Sequence, residues 1–336
     1  MKVLITGGAG YIGSTIASCC EDAGITPVIL DDYSTGLRVY ASRYAHYEGD
    51  IADRAVLNRI ADEHPDLDAV IHCAAKIVVP ESVEQPLDYY GTNVGKAITL
   101  VDALSARGIS RFLFSSTAAM YEPDPDFMVS ETSTVDPGSP YAASKWMLER
   151  VLADAAAAGR ITATTLRYFN PIGADPQMRT GLQNPAPSHA LGKMLTAHAT
   201  DDVFTVTGVD WPTRDGSGLR DYIHVWDLGR AHVLALQATL APYEVINLGT
   251  GTGTTVFELA EAVGEVTGTP LRVEGADRRD GDVVGAAARI DKARELLGWL
   301  PELSIADGVR HSIEWSEKLP EVLRGEERLR SESRAG

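Results

Sequence analysis

The stretch Lys2-Val3-Leu4-Ile5-Thr6-Gly7-Gly8-Ala9-Gly10-Tyr11-Ile12-Gly13 decides the fold. Val3 to Ile5 is a short apolar run, as a buried parallel strand requires. Glycines follow at positions 7, 10 and 13, and apolar residues then recur at Ile16, Cys19, Cys20 and Ala23 in one helical stripe. Strand, glycine turn and helix together build a pyrophosphate site. Glycines let the main chain approach the phosphates, and the helix start offers free amides and a positive dipole end. Gly7, Gly10, Tyr11, Ile12 and Gly13 are the candidate contacts of that turn. A second strand, Pro27 to Leu30, runs into Asp31. A carboxylate there accepts hydrogen bonds from an adenosine ribose and repels a 2′-phosphate. The spacing therefore predicts NAD as cofactor, not NADP.

Outward from this unit, strand and helix patterns alternate to about Arg167. The reading is α/β: a Rossmann-type, doubly wound parallel sheet with a smaller, discontinuous C-terminal lobe. Residues 1–170 are assigned to the dinucleotide-binding domain, with return segments near 221–250. Residues 171–330 are assigned mainly to the substrate lobe, where prolines and glycines from Pro171 to Pro187 break any long element. Asp221 to Val225 is expected to rejoin the sheet. Asp31, Thr117 and Asn170 each follow a predicted strand and are expected to converge at the strand C-terminal ends. Asp50-Ile51 follows a third strand and is placed at the adenine ring. Ala74 and Ala75, after the strand Ala69 to His72, suit close passage of a cofactor. Lys76 has two readings, a contact to the nicotinamide ribose or a solvated loop lysine.

Composition narrows the function classes. The net charge of −17 argues against general nucleic-acid binding and requires a local basic cluster for any anionic substrate. No apolar run reaches membrane-spanning length. The N-terminus reads as a strand and not as a signal sequence. Three cysteines form neither a disulfide framework nor a zinc pattern, which points to the cytoplasm. The polar segment Arg324 to Gly336 is expected to be a frayed tail.

The chemistry is carried by Tyr141-Ala142-Ala143-Ser144-Lys145. Tyrosine and lysine four apart on a helix share one face. An ammonium beside a phenol favours the phenolate, which makes the pair an activated general base. The strand Arg111 to Phe114 ends in Ser115-Ser116-Thr117. The Thr117 hydroxyl either relays a substrate proton to Tyr141 or caps local main chain. Catalytic roles are assigned to Tyr141, Lys145 and Thr117, in the oxidation of a secondary alcohol with hydride passing to NAD.

At this point the chain resembles the UDP-glucose 4-epimerase family of extended short-chain dehydrogenases/reductases, over roughly Met1 to Trp299. Besides the glycine loop and the tyrosine motif, the resemblance rests on Glu81-Ser82-Val83, Tyr89-Tyr90 with Asn93-Val94, Leu166 to Pro171, Asp215 to Val225, Asn247 to Gly251, and Arg278-Arg279-Asp280-Gly281-Asp282. It implies an isomerase. Tyr141 removes the proton of the sugar 4-hydroxyl, the 4-keto sugar turns in the site, and hydride returns to the opposite face. It also implies cofactor contacts from Asn93, Ser115 and Tyr168 and substrate contacts from Thr117, Tyr141, Asn170, His189, Arg220, Arg279, Asp282 and Ala286. Arg220 and Arg279 would clamp the diphosphate of a UDP-sugar. A homodimer through the helices from Asn93 and Tyr141 is also implied.

Departures from the family pattern are Thr117 for serine, Glu122 for glycine, His189 for asparagine, and the small residues of Gly285-Ala286-Ala287. Ala286 stands where the family has a tyrosine or a smaller residue, so the expected sugar pocket is wide enough for an N-acetyl group, as in UDP-GlcNAc or UDP-GalNAc. Two other readings compete. Ala118 and Ala119 follow Thr117 where 4,6-dehydratases carry an Asp-Glu pair. A silent NAD-sensing regulator would not need Tyr141 and Lys145.

Overall fold

The computed structural model describes residues 1–187, 189–278 and 283–335. Seven parallel strands form the main sheet in the order Tyr243–Leu248, Thr162–Tyr168, Arg111–Ser115, Ala69–His72, Lys2–Thr6, Thr26–Asp31, Ala45–Glu48. The first strand of the chain lies inside the sheet, flanked by Ala69–His72 and Thr26–Asp31. Strand order reverses there, which opens the crevice in which doubly wound sheets hold ligands. The central strands Lys2–Thr6, Thr26–Asp31, Ala69–His72 and Arg111–Ser115 have largely apolar, buried interiors, because helices cover both faces. One core lies under the helices Tyr11–Asp22 and Val225–Gln237. The other lies under Arg54–Glu63, Ala97–Ser105 and Pro140–Ala157.

Two expectations are corrected. Tyr222–His224 does not enter the main sheet. It pairs in parallel with Asn170–Ile172, a short ladder that carries the chain into the second lobe. Residues 324–335 are not a frayed tail. They end a helix, Ile305–Ala335, that packs through Trp315 and Leu319 on Leu37 and Tyr40. The apolar spacing of Trp315, Leu319, Val322 and Leu323 supplies that face, and the dense charge of the segment masks it in a composition reading.

Candidate active site

Gly7 has φ +70°, and a Cβ there would lie 2.7 Å from the amide nitrogen of Ala74. At Gly13 a Cβ would lie 2.2 Å from the Gly7 oxygen. Only glycine fits either place, so the turn can fold tightly against the start of its helix. A Cβ on Gly10 would meet only the Gly7 oxygen, at 3.4 Å, which leaves open space above the turn. Gly10 is also the N-cap of Tyr11–Asp22, and no side chain caps that helix. Amides of the first turn thus point at an anion site.

Asp31, the last residue of its strand, is buried. Its Oδ2 accepts from the Ala9 amide at 2.9 Å and its Oδ1 from the Tyr33 amide at 2.8 Å. Burial pushes its carboxyl above the usual range, and the two amides pull it back. Each oxygen keeps lone-pair capacity for a ribose hydroxyl. Asp50 is ion-paired with Lys96, and Ile51 is buried beside it.

At the other end, Ser139 caps the helix Pro140–Ala157, which places Tyr141 in its first turn and Lys145 one turn later. Tyr141 is half-buried, with the Thr117 side chain near enough to draw its hydroxyl pKa down. Thr117 Oγ1 accepts from the Ala119 amide at 3.1 Å, the local main-chain contact expected of a strand-end hydroxyl. The predicted effect of Lys145 on the phenol is corrected for this state. Burial pushes the Tyr141 hydroxyl up, and Thr117 draws it back in part. The ammonium of Lys145 donates instead to the Ser115 carbonyl at 2.9 Å and lies 4.9 Å over the Phe114 ring. Burial lowers its pKa to about 8. Ser115 Oγ lies 3.0 Å from His232 Nε2 and 3.1 Å from Cys73 Sγ. Tyr168 is half-buried nearby, with its hydroxyl well above the ordinary phenol range through burial.

Asn93 sits in a π-helical segment, Gly91–Lys96, of the kind that often marks a functional position. Its amide group ties three parts together. Oδ1 accepts from the Lys76 amide at 2.8 Å, and Nδ2 donates to the Lys76 carbonyl and to Ser144 Oγ, both at 3.0 Å. The strap Ala74-Ala75-Lys76 is thereby held to the Tyr141 helix. The Lys76 ammonium lies 3.3 Å from Glu81 and 3.3 Å from Asp88, an ion-paired loop lysine in this structure.

Spacing rules alone do not find the group that supports this corner. Glu149, two turns beyond Tyr141, is buried with Arg167. Glu149 accepts from Ser116 Oγ at 2.5 Å and from Arg167 Nε at 3.0 Å. Arg167 also donates to the Tyr121 hydroxyl at 2.7 Å, which donates to Asn247 at 2.7 Å. The network fixes residues 116–121 against the helix, and Thr117 lies between its anchors. The signal available beforehand was an arginine inside a strand pattern, which must find a buried partner.

The substrate residues lie in the second lobe or at its border. Asn170 is exposed at the head of its short strand, just past the end of Thr162–Tyr168, which lies four strand positions from Thr26–Asp31, or about 19 Å at ordinary strand spacing. The strand-end residues therefore share an edge without meeting at a point, as an extended dinucleotide with a sugar at one end requires. A cleft of about 810 Å³ is lined by Lys193, Phe204, Trp211, Arg220 and Tyr222 among others. Tyr141 and Thr117 are not in its walls, so it adjoins the chemistry instead of holding it. Arg220 donates to the carbonyls of Leu219 at 2.7 Å, Val284 at 2.8 Å and Val283 at 3.3 Å. Carbonyl partners orient a guanidinium without cancelling its charge, which suits a diphosphate. Arg278, by contrast, is paired with Asp210 and stacked 3.5 Å over Trp211.

Gly285, at φ +97°, turns the chain so tightly against Leu219 and Arg220 that a Cβ would overlap the Leu219 oxygen. Ala286 packs on the cluster Ala118, Tyr121 and Val129, next to Thr117 in sequence. His189 caps the helix Ala190–Ala199, its Nδ1 accepting from the Gly192 amide at 3.2 Å, and burial lowers its pKa. Glu122 forms a main-chain bond from its amide to Thr134. Arg279 and Asp282 lie outside the described residues.

A glycine turn opening a helix, a buried strand-end aspartate and a threonine-tyrosine-lysine trio on one sheet edge are the pattern of the short-chain dehydrogenase/reductase class. The model of the NAD dependent epimerase/dehydratase family matches residues 3–249. The chain belongs to that family, and within it to the UDP-glucose 4-epimerases. It is 41% identical over 319 residues to a UDP-glucose 4-epimerase of Rhizobium leguminosarum bv. trifolii, covering 94% of this chain and 97% of the relative. The crystal structure of a UDP-glucose-4-epimerase from Stenotrophomonas maltophila, with bound NAD and formylated UDP-arabinopyranose, matches with a TM-score of 0.90 at 36% identity over 96% of this chain and 99% of that one. The UDP-Glc/GlcNAc 4-epimerase of Campylobacter jejuni matches with a TM-score of 0.81 at 33% identity, over 94% of this chain and 99% of that one.

Proposed function

We propose that this chain is an NAD-dependent 4-epimerase of UDP-hexoses, acting on UDP-glucose and UDP-galactose and, through Ala286, on UDP-GlcNAc and UDP-GalNAc. The observation that carries the reading is Tyr141 in the first turn of its helix, with the Thr117 side chain beside its phenol and the buried Lys145 ammonium one turn on, on the same sheet edge as the glycine turn.

The first-turn amides of Tyr11–Asp22 would hold the NAD pyrophosphate, Asp31 the adenosine ribose, and Asp50 and Ile51 the adenine side. Ala74, Ala75, Lys76, Asn93, Ser115, Lys145 and Tyr168 would line the nicotinamide half. NAD supplies a reversible hydride acceptor at carbon 4 and, when oxidised, a positive charge that favours the phenolate. Tyr141 would take the 4-hydroxyl proton and, once the keto sugar has turned and accepted hydride on its opposite face, return the proton to the 4-oxygen, while Thr117 orients that oxygen and donates to the phenolate. The helix N-terminus under Tyr141 and the Thr117 hydroxyl both oppose the burial that raises the phenol. Arg220 and Arg279 grip the nucleotide diphosphate, with Asn170 and His189 at its side, and Asp282 takes the uridine ribose. Binding concentrated there leaves the sugar free to turn.

Ala286 favours the wider substrate range, since a methyl leaves space where a phenol ring would stand. An epimerase of another modified nucleotide sugar on the same frame is the second reading. Exposed apolar side chains on the packed helices Val79–Glu84, Pro86–Tyr90 and Pro140–Ala157, with Leu87 82% and Val83 64% exposed, support a homodimer through this face. Three unpaired cysteines, two of them buried, support a reducing compartment such as the cytoplasm. Among the described residues no helix is long and apolar enough to cross a membrane. Mass spectrometry of small molecules released on denaturation tests the assignment: NAD is expected, and a protein releasing NADP or no nucleotide contradicts it.

A further inference from the structure

The loop after Asp31 is held from both sides. Toward the glycine turn, the Leu37 amide donates to the Ala9 carbonyl at 2.9 Å, and the Tyr33 amide donates to Asp31. Tyr33 makes that bond from φ +54°, the left-handed region, which a bulky residue adopts only when its surroundings impose it. Its ring is buried, its hydroxyl has no hydrogen-bond partner among the described residues, and the Arg38 guanidinium covers the ring at 4.3 Å. The conformation is thus imposed by neighbours, and the neighbours lead to the far end of the chain.

Toward the C-terminal helix, the Val39 amide donates to Glu326 Oε2 at 3.1 Å, and Arg38 Nη1 lies 3.9 Å from Glu326 Oε1. Glu326 is only 3% exposed. Its one further partner among the described residues is Arg330, whose Nε donates at 2.8 Å. A carboxylate so deeply buried is tolerable only while these donors stay in place. Tyr40 stacks near Trp315, with ring centroids 6.1 Å apart, and Leu37 and Leu319 share the same cluster. The helix Ile305–Ala335 therefore forms the outer wall of the segment that shapes the adenosine end of the cofactor groove.

We propose that Glu326 is a positioning residue for cofactor binding: it anchors the Arg38–Ala41 turn to the C-terminal helix, and through Arg38 and Tyr33 it holds the Asp31 carboxylate in its ribose-accepting orientation. The inference rests on the reading of this groove as the NAD site. Without the anchor, Arg38 loses one of its two carboxylate partners, Tyr33 can leave the left-handed region, and Asp31 loses the amide on Oδ1. The effect is local to the adenosine half. The uridine half, in the other lobe, does not touch this helix through Glu326.

The test compares wild-type protein, Glu326→Ala and the near-isosteric Glu326→Gln, each stripped of nucleotide, by calorimetric titration with NAD, with AMP and with UDP. Glu326→Ala is expected to weaken NAD and AMP about tenfold or more, the loss typical of one hydrogen bond to a charged group, with UDP affinity unchanged. Glu326→Gln, which keeps the shape and one acceptor, is expected to fall between. Unchanged AMP affinity in both variants overturns the proposal. So does a parallel loss of AMP and UDP affinity, which would mark a general effect on folding. If Glu326→Ala does not fold, Glu326→Gln carries the same comparison. A wild-type protein that binds neither NAD nor AMP overturns the cofactor reading itself before any variant is compared.

Discussion

Lys145 Nζ stands 2.9 Å from the main-chain oxygen of Ser115, so the end of a sheet strand determines where the catalytic helix presents its charge. That contact is buried, and burial lowers the lysine from its ordinary 10.5 to about 8. Below about pH 8 the ammonium is present in the fold, and above it the charge is lost. Activity that depends on the charge is therefore expected to fall as pH rises through about 8. The sign for stability is opposite. Between about 8 and 10.5 the unfolded chain binds the extra proton, so this group makes folding more favourable as pH rises through that window. A pH profile of kcat/KM checks the first effect: Lys145→Met should lower the rate and remove the alkaline limb. The same limb surviving in Lys145→Met would assign it to another group.

The buried pair of Glu149 and Arg167 gives a stability prediction. Glu149→Leu leaves the Arg167 cation buried without its carboxylate, and a loss of about 3–5 kcal/mol is expected in urea unfolding. Glu149→Leu combined with Arg167→Met removes both charges and is expected to cost clearly less than the single change. Equal losses would mean that the hydrogen bond to Ser116, not the charge pairing, is the main contribution.

The local motifs were readable because their chemistry depends on spacing along the chain. A strand, three glycines and a helix define the phosphate turn wherever they occur, and Asp31 follows from the length of one helix and one strand. Tyr141 and Lys145 follow from the helical repeat. What depended on tertiary packing was not readable in the same way. The Tyr141 pKa is set by burial, which spacing does not report. Glu149 meets Ser116 only after helix and strand have packed. Tyr222–His224 has the apolar pattern of a sheet strand, yet it pairs with Asn170–Ile172 outside the sheet, because Thr162–Tyr168 is already flanked by Arg111–Ser115 and Tyr243–Leu248. The C-terminal helix was hidden by its charges, since one apolar stripe suffices to dock a helix whose remaining faces are polar.

Ala286 sets the expected breadth of the sugar site. In Ala286→Tyr, turnover of UDP-GalNAc is expected to fall about tenfold to a hundredfold, since a phenol ring forced into the space the N-acetyl group takes costs on the order of 1–3 kcal/mol. UDP-galactose, without the N-acetyl group, should be turned over within a few-fold of the parent rate. Parallel loss of both substrates, or rejection of UDP-GalNAc by the parent, would refute the role given to Ala286.

The exposed apolar face is expected to close in a two-fold dimer. Leu87→Asp combined with Val83→Asp places two charges on it, and sedimentation equilibrium should show the dimer giving way to monomer. A parent protein that is already monomeric would exclude this interface.

The most direct measurement is interconversion of UDP-galactose and UDP-glucose by the purified protein with no reductant or oxidant added, compared with Tyr141→Phe. The account predicts turnover by the parent without net NADH. It predicts a loss of at least about a hundredfold in Tyr141→Phe, the scale of general acid–base catalysis, while bound NAD is retained. A Tyr141→Phe protein that epimerises at the parent rate would contradict it.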